Sequence, residues 1–255
     1  MSNYQRHENR AYNELRNIKL EVDIANYASG SVLVSYGNTS VICAASIENK
    51  IPGWMHQKKA SGGWITAEYS MLPYSTVDRN IRSRTRGKID GRTIEIQRLI
   101  GRALRAVADL EKMPGYTLWL DCDVLQADGG TRTASITGGY VAARLAVARY
   151  LQEGKLKHNP FRDSVSAVSV GLLNGLEILD LDYSEDYNAQ VDFNVIMTGL
   201  GGFVEIQGAG EGTVFTELQL QKLLHLAKSG INTLSTIQQQ TISQEILKLS
   251  SKKKL

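Results

Sequence analysis

The residues best suited to chemistry lie in Leu125 to Gly139, LQADGGTRTASITGG, where two adjacent glycines and one arginine separate a strand pattern from a helix pattern. Upstream, Thr117 to Leu125 (TLWLDCDVL) alternates Leu118, Leu120, Cys122 and Val124 with other residues, as a half-buried strand does. Downstream, Ala134 to Gln152 is rich in Ala, Leu and Val at helical spacing. A strand-to-helix junction turns free backbone N–H groups and the positive end of the helix dipole toward one point. Glycine lets the backbone approach a ligand, and Arg132 can add a forked contact. The chemistry expected of Gly129-Gly130 and Arg132 is therefore phosphate binding. Taken alone, the same residues also suit a tight turn beside a surface arginine, because many strand-to-helix turns use glycine.

The charge distribution favours the anion site. Arg79, Arg82, Arg84, Arg86, Lys88, Arg92, Arg98, Arg102 and Arg105 face only Asp90 and Glu95 within their stretch, a net +7 in a chain of net +3. The rest of the chain is consequently acidic. Residues 163–221 contain no Lys or Arg, but ten acids: Asp163, Glu177, Asp180, Asp182, Glu185, Asp186, Asp192, Glu205, Glu211 and Glu217. An Arg-rich segment suits a polyanion, and neighbouring carboxylates suit metal binding or general acid work on phosphate esters. The competing reading is two solvated faces that pair with each other.

Positioning these residues requires an α/β chain. The 255 residues, 42% hydrophobic and 22% charged, suffice for a full core in one domain, 1–255, and no long disordered region is expected. Hairpins are expected at Gly37-Asn38 within Ser31 to Ser46, at Asn174-Gly175 within Val165 to Tyr183, and at Gly201-Gly202 within Phe193 to Gln207. Helices are expected over Ile94 to Lys112, Ala134 to Gln152, Glu217 to Ser229 ending at Gly230, and Ile231 to Leu249. Strands followed by a helix occur twice, at about 31–112 and 165–229, a weak sign of two similar halves around a shared core. The basic tail, 250–255, reads as a solvated end.

Several classes are excluded. MSNYQRHENR is polar, so no secretory signal is expected, and no apolar run approaches the roughly 20 residues of a membrane span, so a soluble, cytoplasmic protein is expected. Cys43 and Cys122 fall at apolar positions of strands and read as small hydrophobes. His7, His56, His158 and His225 lack ligand spacing, and no phosphate loop of the G-x-x-x-x-G-K-[ST] type occurs. Gly208, Gly210 and Gly212 (GAGEG) read as a turn rather than a dinucleotide fingerprint.

Longer segments carry a resemblance. GWITAEYSMLP (Gly63 to Pro73), GRTIEIQRLIGRALRAV (Gly91 to Val107), LDCDVLQADGGTRTASITG (Leu120 to Gly138), LDLDYSEDYNAQVDFNVIMTG (Leu179 to Gly199) and FVEIQGAGEG (Phe203 to Gly212) together resemble the ribonuclease PH family over nearly the whole chain. The resemblance implies a two-layer α/β fold of duplicated halves. It also implies a homohexameric ring, a trimer of dimers, that trims tRNA precursors and other RNA 3′ ends by phosphorolysis, with inorganic phosphate as cosubstrate and Mg²⁺ as companion. Ribosomal RNA is a further candidate substrate, and neither DNA nor membrane is implied.

Transferred residue by residue, the resemblance assigns phosphate binding to Arg92, Gly130, Thr131 and Arg132. It assigns the acidic pair to Asp186 and Asp192, which are also the candidate metal ligands; our own assignment, beyond the resemblance, is that Asp192 protonates the leaving 3′ oxygen or helps hold a divalent ion, with Asp186 as its support. Arg79 and Arg82 match arginines that grip RNA across a subunit boundary, whereas Tyr74 stands where the family has another arginine. Asn17-Ile18 after ELR and Ala209-Gly210 are further departures of structural character. Two alternatives remain at this point: a catalytically silent RNA-binding ring subunit of the same fold, and a metal-dependent hydrolase built on Asp121, Asp123, Asp180 and Asp182. As acids of the phosphorolytic site, Asp180 and Asp182 are weaker candidates, because on a strand they point to one face and read as a solvated pair.

Overall fold

The computed structural model describes residues 5–82, 85 and 87–252, so Arg84, Arg86, Lys253 and Lys254 of the charge argument lie outside it. Among the described residues, nine strands form two sheets, accompanied by five helices. The first takes β1 (Ile18–Val22), β2 (Gly30–Tyr36), β3 (Thr39–Glu48), β4 (Trp64–Met71) and β5 (Thr117–Gln126) in the order β1-β2-β3-β5-β4. The second takes β6 (Val165–Leu173), β7 (Leu176–Leu179), β8 (Val191–Thr198) and β9 (Phe203–Gly210) in the order β7-β6-β8-β9. The helices are α1 (Gly53–Gln57), α2 (Gly91–Ala106), α3 (Thr131–Gln152), α4 (Tyr183–Asn188) and α5 (Glu217–Lys252).

The expected hairpins form. β2 and β3 turn at Gly37, β6 and β7 turn at Asn174-Gly175, and β8 and β9 turn beyond Thr198 through Gly201 and Gly202. Asn174 and Gly175 both have positive φ, 52° and 77°, which suits a two-residue hairpin turn. Strict alternation in β3 sends Val41, Cys43, Ala45 and Ile47 inward. Cys43 and Cys122 are register partners on β3 and β5, both buried and both free. β4 runs parallel to β5, so the basic loop and α2 form the crossover between them.

α3 lies at the centre, with most of its first seventeen residues buried. It packs on β2 and β3 of the first sheet and on β6 of the second, while α5 packs on β6 and α3, so one apolar core joins the two sheets. β6 is buried along its whole length for that reason.

Three expectations need correction. The helix expected over Ile94 to Lys112 begins at Gly91, capped by Asp90, and ends at Ala106, before a separate 3₁₀ turn at Leu110–Lys112. The two C-terminal helices are one, running through Gly230. That glycine marks a close approach rather than a stop, since a Cβ there would come within 2.9 Å of Leu179 Cδ1. Gly208 and Gly210 continue β9, and the turn begins only at Glu211. Among the described residues, no helix is long and apolar enough to cross a membrane.

Candidate active site

Two helices open with an arginine at the same place. Gly130, with φ 69°, precedes α3 and puts Thr131 and Arg132 in its first turn; Asp90 caps α2 and puts Gly91 and Arg92 in its first turn. The Asp90 carboxylate accepts from the Thr93 N–H at 2.7 Å, which fixes the start of α2. No side chain caps α3, so the backbone N–H groups of its first turn stay available to an anion.

The loop before α3 is held from several sides. Thr39 Oγ1 donates to the Gly129 carbonyl at 2.6 Å, and the Asp128 N–H donates to Thr39 Oγ1 at 2.9 Å. The Tyr183 N–H donates to Asp128 Oδ1 at 3.2 Å, tying the loop to the start of α4. Gly129, at φ 75°, fits against α4 so closely that a Cβ would lie 2.6 Å from the Leu181 carbonyl oxygen. Behind the loop, the Tyr69 and Thr131 hydroxyls share a hydrogen bond of 2.8 Å.

Arg132 donates to Gln207 Oε1 at 2.9 Å and forms an ion pair with Glu95 Oε1 at 3.5 Å, while Gln207 itself donates to Glu95 and to Glu205, each at 2.9 Å. An amide is thus its nearest partner, with the Glu95 carboxylate farther off. Arg92 is exposed, and the charges of both arginines reach the buried Tyr69 hydroxyl.

The acids arrive from the second sheet. Asp182 caps α4 in a reciprocal box with Glu185, which places Asp186 one turn in; Asp192 follows on β8, opposite Gly171 of β6 and Ala209 of β9. Asp186 keeps a face open to solvent. Its carboxyl is nonetheless raised above the ordinary range, first by partial burial and next by repulsion from Asp192, against the pull of Arg92, Arg132 and Arg16. Partial burial also raises Asp192, with Arg132 opposing and Glu211 adding to the rise. Two interacting carboxyls beside two guanidiniums can hold one proton between them near an anion.

The structure therefore brings together Arg92, Gly130, Thr131, Arg132, Asp186 and Asp192. Arg79 and Arg82 stand apart, exposed on the loop between β4 and α2, as does Tyr74. The carboxylates of the hydrolase alternative do not converge. Asp121 and Asp123 share the half-buried outer face of β5, where burial and Glu68 raise Asp121. Asp180 and Asp182 lie past the end of β7 rather than on a strand: Asp180 is buried against Arg16 and Asp182 is a helix cap. Among the described residues, no group of three or more His, Cys, Asp or Glu side chains is arranged to hold a metal.

Sequence reasoning missed the N-terminal arginines. Arg6 donates to Glu185 at 2.7 Å with both side chains fully buried, Arg10 joins it at 3.3 Å, and Arg16 pairs with Asp180 at 2.7 Å. It also missed Gln207 and Tyr69. The signal for the arginines was the run of cations at positions 6, 10 and 16 facing an acid-only segment, which composition alone does not pair.

Comparison with known proteins identifies the family. The model of domain 1 of the 3′ exoribonuclease family matches residues 14–148, and that of domain 2 matches residues 163–230. Ribonuclease PH of Bacillus pumilus is 54% identical over 242 residues, 94% of this chain and 98% of the relative. Ribonuclease PH of Bacillus subtilis is 51% identical over 245 residues, 96% of this chain and 99% of the relative. A chain of the Archaeoglobus fulgidus exosome, solved with RNA bound to the active site, superposes with a TM-score of 0.75 at 20% identity, covering 90% of this chain and 91% of that one. An archaeal exosome core chain gives 0.71 at 19%, covering 92% and 91%. The last two likenesses speak for the fold alone. With both domain models matched in order, and half of all aligned positions shared with relatives along nearly the whole length, the chain belongs to the ribonuclease PH family of 3′ exoribonucleases.

Proposed function

We propose that this chain shortens tRNA precursors from the 3′ end by phosphorolysis, with Arg92, Gly130, Thr131 and Arg132 holding inorganic phosphate and Asp186 and Asp192 serving the departing oxygen. The observation that carries the reading is the meeting of two helix-borne arginines from one sheet layer with two aspartates from the other, whose carboxyls are raised above their ordinary range. The cosubstrate brings the nucleophile, so no activated Ser, Cys or His is needed.

A phosphate oxygen attacks the phosphorus of the terminal phosphodiester. A new P–O–P bond forms as the bond to the 3′ oxygen of the penultimate nucleotide breaks. The products are a nucleoside 5′-diphosphate and an RNA one residue shorter with a free 3′ hydroxyl. Arg92, Arg132 and the first turn of α3 offset the repulsion between two anions and orient the attack. The proton for the leaving oxygen comes from the aspartate pair, with Asp192 as donor and Asp186 setting how tightly the pair keeps it.

Two carboxylates at a solvent-facing mouth suit Mg²⁺, which favours one or two carboxylates together with substrate phosphates. When bound, the ion would neutralise phosphate charge; Asp186 and Asp192 are the residues to hold it. Arg79 and Arg82, exposed on the basic loop, are assigned to the RNA backbone, and a homohexamer built as a trimer of dimers is the assembly in which they serve a neighbouring site. Residues 1–255 act as one unit in this reading, since the site draws arginines from one half and aspartates from the other. Cytoplasmic residence completes it. A silent ring subunit would be free to lose Arg92, Arg132, Asp186 or Asp192, and all four are present.

The test is incubation of a 3′-extended tRNA with the protein and Mg²⁺, with and without inorganic phosphate. Diphosphates released only with phosphate support the reading. Monophosphates released without it would make the protein a hydrolase, and RNA binding without release would make it a scaffold.

A further inference from the structure

We propose that Arg16 is a positioning residue for the phosphate cosubstrate, a single guanidinium that locks the anion-binding loop to the acidic half of the site and thereby sets the direction of the loop's N–H groups. The proposal rests on the phosphorolytic reading above.

One edge of Arg16 belongs to the second half of the chain. Its Nη2 and Nε donate to the two Asp180 carboxylate oxygens at 2.7 and 3.0 Å, and its own backbone N–H donates to Asp180 Oδ2 at 2.8 Å. Asp180 is fully buried, and its N–H donates to the Ser169 carbonyl at 2.7 Å, so it is itself anchored to β6. Burial pulls the Arg16 guanidinium down, but the charge and hydrogen bonds of Asp180, together with the charges of Asp128 and Asp182, outweigh this and raise it, so Arg16 remains a cation.

The other edge belongs to the first half. Nη1 donates to the Asp128 carbonyl at 2.5 Å, and both terminal nitrogens reach the Gly129 carbonyl at 3.5 Å. In a trans peptide the carbonyl and the following N–H point in opposite directions. Drawing the Asp128 and Gly129 carbonyls inward therefore turns the N–H groups of Gly129 and Gly130 outward. Thr39 Oγ1, donating to the same Gly129 carbonyl at 2.6 Å, enforces the same orientation from the sheet. Arg16 is 4% exposed, so it shapes the loop from behind rather than touching an anion in front of it.

A clamp of this kind predicts a selective defect. In Arg16→Lys the charge remains but the fork that spans Asp180 and the loop is lost. With 3′-extended tRNA as substrate, KM for inorganic phosphate should rise about tenfold or more, while the Kd for RNA measured without phosphate stays within about twofold. The rise in thermal midpoint that inorganic phosphate gives the wild-type protein should shrink in the variant. In Arg16→Ala, millimolar guanidinium should restore part of the phosphate affinity. If the Arg16 variants do not fold, Asp180→Asn decides the matter, since it loosens the anchor of Arg16 and leaves every residue assigned to phosphate untouched. It should raise KM for phosphate about threefold. A fall in thermal midpoint with an unchanged KM for phosphate, in Arg16→Lys or in Asp180→Asn, overturns the proposal. A wild-type protein that fails to phosphorolyse RNA would instead remove the functional reading on which it rests.

Discussion

Replacing Gly129 by alanine tests whether the contact between the phosphate loop and α4 matters to function. Gly129 sits at φ 75°, where an alanine costs about 1–2 kcal/mol in backbone strain. The new methyl would also stand 2.6 Å from the Leu181 carbonyl oxygen, 2.7 Å from the Asp182 carbonyl carbon and 2.9 Å from the Tyr183 nitrogen. All three are backbone atoms, so no side chain can rotate away. Restoring ordinary separations of about 3.5 Å requires the loop and the start of α4 to part by more than half an ångström, at a further cost of about 1–3 kcal/mol. Gly175 is the control. It has nearly the same φ, 77°, and nothing within 4 Å of its missing Cβ, so Gly175→Ala bears the backbone strain alone. Urea unfolding should therefore show Gly129→Ala to be less stable than Gly175→Ala by about 1–3 kcal/mol. Because α4 carries Asp186, kcat/KM in phosphorolysis of a 3′-extended tRNA should fall about 10- to 100-fold in Gly129→Ala and not in Gly175→Ala. Equal stability and equal activity in the two variants would refute the reasoning.

The raised carboxyls give a pH signature. A carboxyl with a higher pKa in the folded than in the unfolded state contributes stability below its unfolded pKa and loses it as pH rises through the folded one. Asp186→Asn and Asp192→Asn should accordingly melt above the wild type at neutral pH while losing activity, and the gap should close as pH falls through the carboxylate range. Arg6→Met leaves buried Glu185 with Arg10, at 3.3 Å, as its remaining cation and should cost about 3 kcal/mol in chemical denaturation, whereas Arg6→Met with Glu185→Leu should recover part of that loss. Tyr74, 68% exposed beside the basic loop, can stack on a base but cannot release a counterion. Tyr74→Arg should therefore steepen the fall of RNA affinity with salt, read from Kd at several ionic strengths.

What could be read from the sequence follows its short-range signals. The Asn174-Gly175 turn, the alternation of Thr117 to Leu125 and the Gly129-Gly130 junction each state their structure within a few residues, and all three form. β1 was not foreseen although Ile18, Leu20 and Val22 alternate with Lys19 and Glu21, because five residues of a half-buried edge strand make too short a run to stand out. Gly230 read as a helix end, because a glycine that admits Leu179 from the second sheet looks locally identical to one that stops a helix. Asp180 and Asp182 read as a solvated pair. The ionic partners, Arg16 for Asp180 and His7 and Arg10 for Asp182, lie up to 175 positions away in sequence, beyond any local pattern, whereas the box between Asp182 and Glu185 is a local signal that went unread. The arginines and aspartates of the site were legible through family resemblance and charge segregation, whereas the residues that hold them in place, Gln207, Thr39 and Arg16, make contacts only the folded chain defines.

The central claim is that inorganic phosphate is the nucleophile and that Arg132 helps to hold it. Supplying radiolabelled inorganic phosphate with unlabelled 3′-extended tRNA tests it directly. The account predicts label in the β-phosphoryl group of every released nucleotide, and loss of that product in Arg132→Gln. Unlabelled monophosphates from the wild-type protein, or labelled diphosphates formed as fast by Arg132→Gln, would contradict it.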